Sequence, residues 1–263
     1  MPAAAAVAIF LSGCAAAPEP EAAGETSLAI KWVRDAAEYR ALSLQAYRAA
    51  SLALPGLLAD ETWSAIPYQR DVANLPPAII LDVDETSLTN VHFQETFEPP
   101  FEDIKLENWN RENKATPVPG APEFVKLARD SGIEVFFITN RPCEPRPGNE
   151  HPCPYESITV QDLTEAGMPT DASHVLLSRE RPDWGGEKQT RRDYVAKSYR
   201  VIMLVGDDLG DFMPCVRRRP GGGCTEGGTI ANRYALTDEH REFWGTGWII
   251  LPNPMHGSWT SVP

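Results

Sequence analysis

"AIILDVDETSLTN", Ala78 to Asn90, runs from four apolar residues into two carboxylates one residue apart. Ala78–Leu81 has the near-continuous apolar character of a strand buried on both faces. Asp82 and Asp84 then stand where such a strand leaves its sheet. In an extended chain, residues two apart point the same way, so both carboxylates face one side. Four further runs share this character: "IEVFFITN" (133–140), "SHVLLS" (173–178), "RVIMLVGDD" (200–208) and "GWIILPN" (247–253). Between them, "PGAPEFVKLARDSG" (119–132), "PYESITVQDLTEAGMP" (154–169) and "EKQTRRDYVAKSY" (187–199) read as helices, with apolar residues at helical spacing. Ser27 to Leu54 reads as one long or two short helices, and Asp60 to Ile66 as a continuation of that layer. Strand–helix alternation predicts an α/β fold, a parallel sheet flanked by helices. Val91 to Val118 breaks the alternation. This segment is aromatic-rich and longer than an ordinary connection. It is expected to join the N-terminal helices in a small, mainly helical cap over the strand ends.

The chain has 263 residues, 42% of them hydrophobic, enough for a sizeable core. Its formal net charge of −13 argues against a surface built to grip a nucleic acid polymer, because that binding depends on clustered Lys and Arg. Arg191-Arg192 and Arg217 to Arg219 are the densest basic runs. Both are too short for a binding groove and are expected on the solvated surface.

"MPAAAAVAIFLSGC" (1–14) is apolar but too short to span a bilayer as a mature helix. It reads as a signal-peptide core. Its ending, Leu11-Ser12-Gly13-Cys14, resembles a bacterial lipobox, in which the cysteine carries lipid; a plain secretory signal is the alternative. "AAAPEPEAAGE" follows, small and Pro-containing, suited to a tether. The expected organisation is a signal peptide over 1–14, a flexible tether over 15–26 and one domain over 27–263. The cap insertion occupies about 91–118.

Cys143, Cys153, Cys215 and Cys224 fall into two local pairs within Pro- and Gly-rich segments. Four cysteines allow three pairings. In an oxidising compartment each local pair would staple a loop, so Cys143–Cys153 and Cys215–Cys224 are expected. Zinc binding is the rival reading, with spacings wider than usual for that metal.

Ligands of a parallel α/β sheet bind outside the carboxyl ends of its strands. The first strand delivers Asp82 and Asp84 to that edge, the second Thr139-Asn140-Arg141, and the fourth Gly206-Asp207-Asp208 with Asp211 shortly after. Lys188 opens the helix before the fourth strand. Crowded carboxylates repel. A divalent cation relieves them, and oxygen ligands suit magnesium; alternatively, one carboxyl stays protonated as an acid. Asp82 offers a carboxylate nucleophile, and Asp84 beside it a group that can give and take a proton.

"DVDET", "ITNR", Lys188 and "GDDLGDF", in that order, resemble the four motifs of the haloacid dehalogenase (HAD) phosphatase superfamily. "ILDVDETSLTN", "FITNR", "VGDDLGDF" and "LPNPMHGSW" are similar to the class C acid phosphatases, bacterial outer-membrane lipoproteins. The resemblance runs from about Ala78 to Trp259. It implies a HAD-like Rossmannoid sheet and a phosphate-ester substrate, whose charge must be neutralised and which needs an in-line nucleophile: Asp82 would form an aspartyl-phosphate, and Asp84 would protonate the leaving alcohol and later deprotonate water. It implies Mg²⁺ held by Asp82, the backbone carbonyl of Asp84, and Asp207, with Asp208 and Asp211 holding waters or orienting neighbours. Thr139 and Lys188 would contact the phosphoryl group, and Asn140 would hold substrate or loop. The implied substrate is a small phosphate monoester, nucleoside 5′-monophosphates included. The implied location is the bacterial cell envelope, with membrane contact only through a lipid at Cys14. The family usually has Tyr where His256 stands. Trp109 and His256 are candidates to stack on a base, or else rings that pack the cap. A non-catalytic ligand-binding lipoprotein and a phosphotransferase to an alcohol acceptor are the competing functions. The oligomeric state stays open, a homodimer included.

Overall fold

The computed structural model describes residues 25–112, 114–217 and 228–262. The expected lipidation site Cys14, most of the tether and Cys224 lie outside the described residues. In chain order the elements are α1 (Glu25–Asp35), α2 (Ala37–Ala59), β1 (Pro77–Leu81), β2 (Leu88–Thr89), α3 (Val91–Thr96), α4 (Asp103–Asn110), β3 (Thr116–Pro117), α5 (Ala121–Asp130), β4 (Glu134–Pro142), α6 (Pro154–Glu165), β5 (Val175–Ser178), α7 (Gln189–Ala196), β6 (Arg200–Gly206), α8 (Ile230–Glu239) and β7 (Trp248–Ile250).

The five strands expected from the apolar runs form one parallel sheet, ordered β5-β4-β1-β6-β7. Alternate side chains feed two cores. Ile79, Leu81, Val135 and Phe137 face one core, shared with Tyr47 of α2, Phe124 of α5 and Ile158 of α6. Ala78, Ile80, Phe136 and Ile138 face the other, shared with Val195 of α7. β6 breaks the alternation once. Ile202 and Met203 both enter the first core, at the register shift opposite Ala78 and Ile79.

The predicted insertion forms α3 and α4, enclosed by the two-stranded β2–β3 pair. Phe93, Phe97 and Phe101 pack together there. The predicted Cys143–Cys153 disulfide is present, with Cα atoms 4.6 Å apart. Its loop carries Arg146, whose Nε donates to the fully buried Glu107 of α4 at 2.7 Å. An ion pair thus fastens the cap to the core. Cys215 is also disulfide-bonded.

Three expectations change. Asp60 to Ile66 does not continue α2: the Asp60 carboxylate accepts from the Thr62 amide at 2.9 Å, turning the chain. The segment then serves β6, with Ala65 N–H donating to Val201 C=O at 2.7 Å. α8 appears where no helix is expected, capped by the Thr229 hydroxyl. Arg191 and Arg192 are buried, not solvated. Among the described residues, no helix is long and apolar enough to cross a membrane.

Candidate active site

Strand order reverses at β1, whose flanking neighbours are reached by connections on opposite sides. Ligands of such sheets settle in the crevice this creates beyond the strand ends. A cavity of about 580 Å³ opens there, lined by Asp82, Asp84, Asn140, Lys188, Asp207, Asp208, Asp211 and His256 among others.

Asp82 continues β1 by one residue, its N–H bonded to Val205 C=O at 2.9 Å. Its carboxylate is buried and paired with Lys188, which also reaches Asp211 Oδ1 at 2.6 Å. The other Asp211 oxygen accepts the Asp207 and Asp208 amides at 3.1 and 3.0 Å. Both Asp211 oxygens are therefore engaged in holding Lys188 and the turn after β6. Gly206 is required beside it, since an added Cβ would collide with the Asp211 side chain. Asp207 accepts from the Thr86 hydroxyl at 3.0 Å and the Asn253 amide at 2.7 Å. Asp208 lines the cavity, but its carboxylate oxygens are committed to backbone: one caps Gly210 N–H at 2.8 Å and the other holds the Ser258 amide. It thereby pins the segment that presents His256.

Asp82, Asp207 and Asp211 offer carboxylate oxygens within 4.8 Å of one another. Burial pushes Asp82 well above the ordinary carboxyl range, and Asp211, Asp207 and Asp84 add to the rise against the pull of Lys188. Burial, then Asp211, lifts Asp207 to about 7. Burial works against the Lys188 charge, but Asp211 and Asp82 outweigh it and raise that group too. Burial leads the Asp82 and Asp207 shifts, and a cavity floor with more carboxylates than cations adds to them and raises Lys188. An all-oxygen donor set with surplus negative charge fits a hard divalent ion.

Asp84 has a different setting. Burial would raise it, but Arg141 and Asn90 hold it below the usual range. Arg141 donates from Nη2 at 2.8 Å and from Nε at 3.1 Å, and Asn90 donates at 2.7 Å. Thr139 is fully buried, and its hydroxyl lies 3.2 Å from Asp84 Oδ2. Thr139 is not among the residues that line the cavity, and its hydroxyl also accepts from the Arg141 amide at 3.1 Å. Asn140 lines the cavity, and its Oδ1 accepts from Arg191 at 2.7 Å. Arg191 also donates to the Thr139 carbonyl and to Gly185 C=O, the latter at 3.0 Å. It joins the end of β4 to the "DWGG" loop that leads to Lys188.

The outer cavity is apolar on one side, with Phe97, Phe101, Leu106 and Met255. His256 lines it, half-exposed, 3.8 Å from the buried carboxylate of Glu85. Burial lowers the His256 pKa, but Glu85 outweighs it and raises the group overall. Trp109 is not among the lining residues. Its ring packs on Phe93 inside the cap at a 5.9 Å centroid distance. Phe97 and Phe101 occupy the position expected of it.

A family model described as "HAD superfamily, subfamily IIIB (Acid phosphatase)" matches residues 21–259. The class C acid phosphatase from Bacillus anthracis has a similar structure: TM-score 0.69 at 26% identity, over 89% of this chain and 86% of that one. A second structure of that enzyme, with tungstate bound, gives a TM-score of 0.67 at the same identity and coverage.

Proposed function

The chain belongs to the subfamily IIIB acid phosphatases of the HAD superfamily, which makes it a phosphomonoesterase, and we propose that it acts with Mg²⁺ through an aspartyl-phosphate on Asp82. Nucleoside 5′-monophosphates are among the proposed substrates. The observation that carries this reading is the pairing of Lys188 with Asp82 inside the cavity that Asp84 and Asp207 also line.

In the first half-reaction a carboxylate oxygen of Asp82 attacks phosphorus in line with the ester bond. The P–O ester bond breaks as Asp84 protonates the leaving alkoxide; Arg141 and Asn90 favour its ionised form, so Asp84 first takes that proton from solvent. In the second half, Asp84 takes a proton from water as the water oxygen attacks phosphorus. The acyl-phosphate P–O bond then breaks, inorganic phosphate departs and Asp82 is restored. Lys188 neutralises charge on the phosphoryl oxygens and favours the anionic form of Asp82 against the burial that opposes it, a task the bound cation would share. Asp82, Asp207 and the Asp84 carbonyl would hold the cation, which supplies charge neutralisation for the phosphoryl group when bound. The tungstate in the relative is a tetrahedral oxyanion, the shape of inorganic phosphate.

The apolar wall of Phe97, Phe101 and Met255 supports a leaving group with a flat, apolar face. Retention of Asp82 weighs against a purely ligand-binding protein. Transfer to an alcohol would share the covalent intermediate and differ only in the acceptor. Lipidation at Cys14 would place the enzyme on the bacterial cell envelope, and the Cys143–Cys153 disulfide fits that oxidising setting.

The test is a phosphate-release screen over a panel of monoesters, with and without EDTA. Release that disappears with EDTA and returns with added Mg²⁺ is expected. Full activity in chelator would overturn the metal assignment.

A further inference from the structure

We infer that Asp162 and Arg141 form a buried positioning pair for Asp84. Asp162, on α6 behind the sheet, sets the aim of the acid–base carboxyl without touching substrate. The inference rests on the proposed role of Asp84.

Arg141 has a side chain that is 1% exposed, and it sits between two carboxylates. One edge of the guanidinium, Nε and Nη2, forks onto Asp84. Nη1 is committed the other way, to Asp162 Oδ2 at 3.0 Å and the Thr159 hydroxyl at 3.1 Å. The face of the guanidinium lies over the Tyr155 ring, 5.1 Å from its centroid. That ring is fixed in turn by cap residue Asn110, which donates to the Tyr155 hydroxyl at 2.8 Å. A planar fork held at one end and on one face has a single orientation left, so Arg141 presents Asp84 with fixed geometry.

This arrangement is costly unless it serves a purpose. Asp162 is buried, and its Oδ1 has no hydrogen-bond partner among the described residues. A single Asp84–Arg141 pair would already neutralise the arginine. The second, incompletely satisfied carboxylate adds direction rather than charge balance. An acid–base group must lie within hydrogen-bond reach of the proton it moves, so small errors in aim cost rate.

The role separates from a merely structural one by leaving-group dependence. An alkoxide needs a proton to depart; a p-nitrophenolate, far less basic, leaves without one. Loss of aim at Asp84 therefore slows glycerol phosphate and spares p-nitrophenyl phosphate. We expect Asp162→Asn to lower kcat/KM on glycerol phosphate by about 10²-fold, the lower end of general acid–base contributions. On p-nitrophenyl phosphate the loss should be only a few-fold. Arg141→Lys keeps the charge and loses the fork, and should show the same split should Asp162→Asn fold poorly. In an Asp84→Asn background, Asp162→Asn should cost nothing further on either substrate. Equal losses on both substrates, or a full additional loss in the Asp84→Asn background, would overturn the inference while leaving Asp84 in its role. Absence of the split in Asp84→Asn itself would remove the acid–base assignment and the positioning pair with it.

Discussion

Lys188 lies 2.6 Å from one carboxylate oxygen of Asp211, while the opposite oxygen accepts two consecutive backbone amides. Asp211 is thus a rigid bracket. It receives the turn after β6 on one side and aims an ammonium group at Asp82 on the other.

Removal of that ammonium leaves two buried carboxylates without their cation. Lys188→Met should lower stability by about 3 kcal/mol, the usual cost of breaking a buried pair from one side, and should abolish measurable turnover. Urea denaturation and phosphate release check the two halves separately. A variant as stable as the parent would mean the pair contributes nothing to the fold.

Asp82→Asn keeps the size of the side chain and removes the nucleophile. Turnover should vanish while the melting temperature stays close to that of the parent. Residual activity within about tenfold of wild type, a barrier change of only ~1.4 kcal/mol, would show that no acyl-phosphate forms on Asp82.

The aromatic wall offers a contrast within one cap. Phe97 and Phe101 line the cavity, whereas Trp109 packs on Phe93. Phe97→Ala and Phe101→Ala should each raise KM for a nucleoside 5′-monophosphate by about tenfold, from loss of stacking worth roughly 1–3 kcal/mol. Glycerol phosphate should be little affected. Trp109→Ala should lower stability and treat both substrates alike. A nucleotide-selective loss in Trp109→Ala would reverse the assignment.

Asp162 should also leave a signature in stability against pH. Burial lifts its pKa from 3.8 to about 6, with Arg141 opposing. The folded protein therefore binds this proton more tightly than the unfolded chain. The contribution is greatest below about 3.8 and is lost as pH rises through about 6. Relative to Asp162→Asn, the wild type should lose on the order of 2–3 kcal/mol between pH 4 and pH 7. Parallel stability curves for the two proteins would contradict this.

The strands were legible because a parallel sheet buried on both faces writes itself as unbroken apolar runs, and Asp82, Asp84 and Asp207 follow directly from where those runs stop. Side chains that act from behind the site leave no such trace. Arg191 and Arg192 look like any surface charge run, yet both are buried and spend their hydrogen bonds on the end of β4, the "DWGG" loop and the turn after β6. Asp162 is three positions from Thr159 on α6, an ordinary polar helix spacing. Only the tertiary path of Arg141 gives either residue meaning. Trp109 and Phe97 were indistinguishable as aromatic residues of one insertion, because cap packing, not composition, decides which ring meets the cavity.

The connectivity of the sheet also determines when the catalytic centre comes into existence. Ile79 pairs with Val135 on one side and with Met203 on the other. The central strand therefore waits for chain made much later, and pairings of such long sequence separation are intrinsically slow to close. Asn253, which donates to Asp207, comes later still. A nascent polypeptide already carrying Asp82 and Asp84 holds them as two ordinary hydrated side chains, with neither their ammonium counterpart nor the carboxylates that repel them. Mutual repulsion of the acids arises only when β6 pairs with β1, because that strand delivers Asp207 and Asp211 beside Asp82, and the same pairing closes both cores; the electrostatic strain of the centre and the burial that offsets it come together.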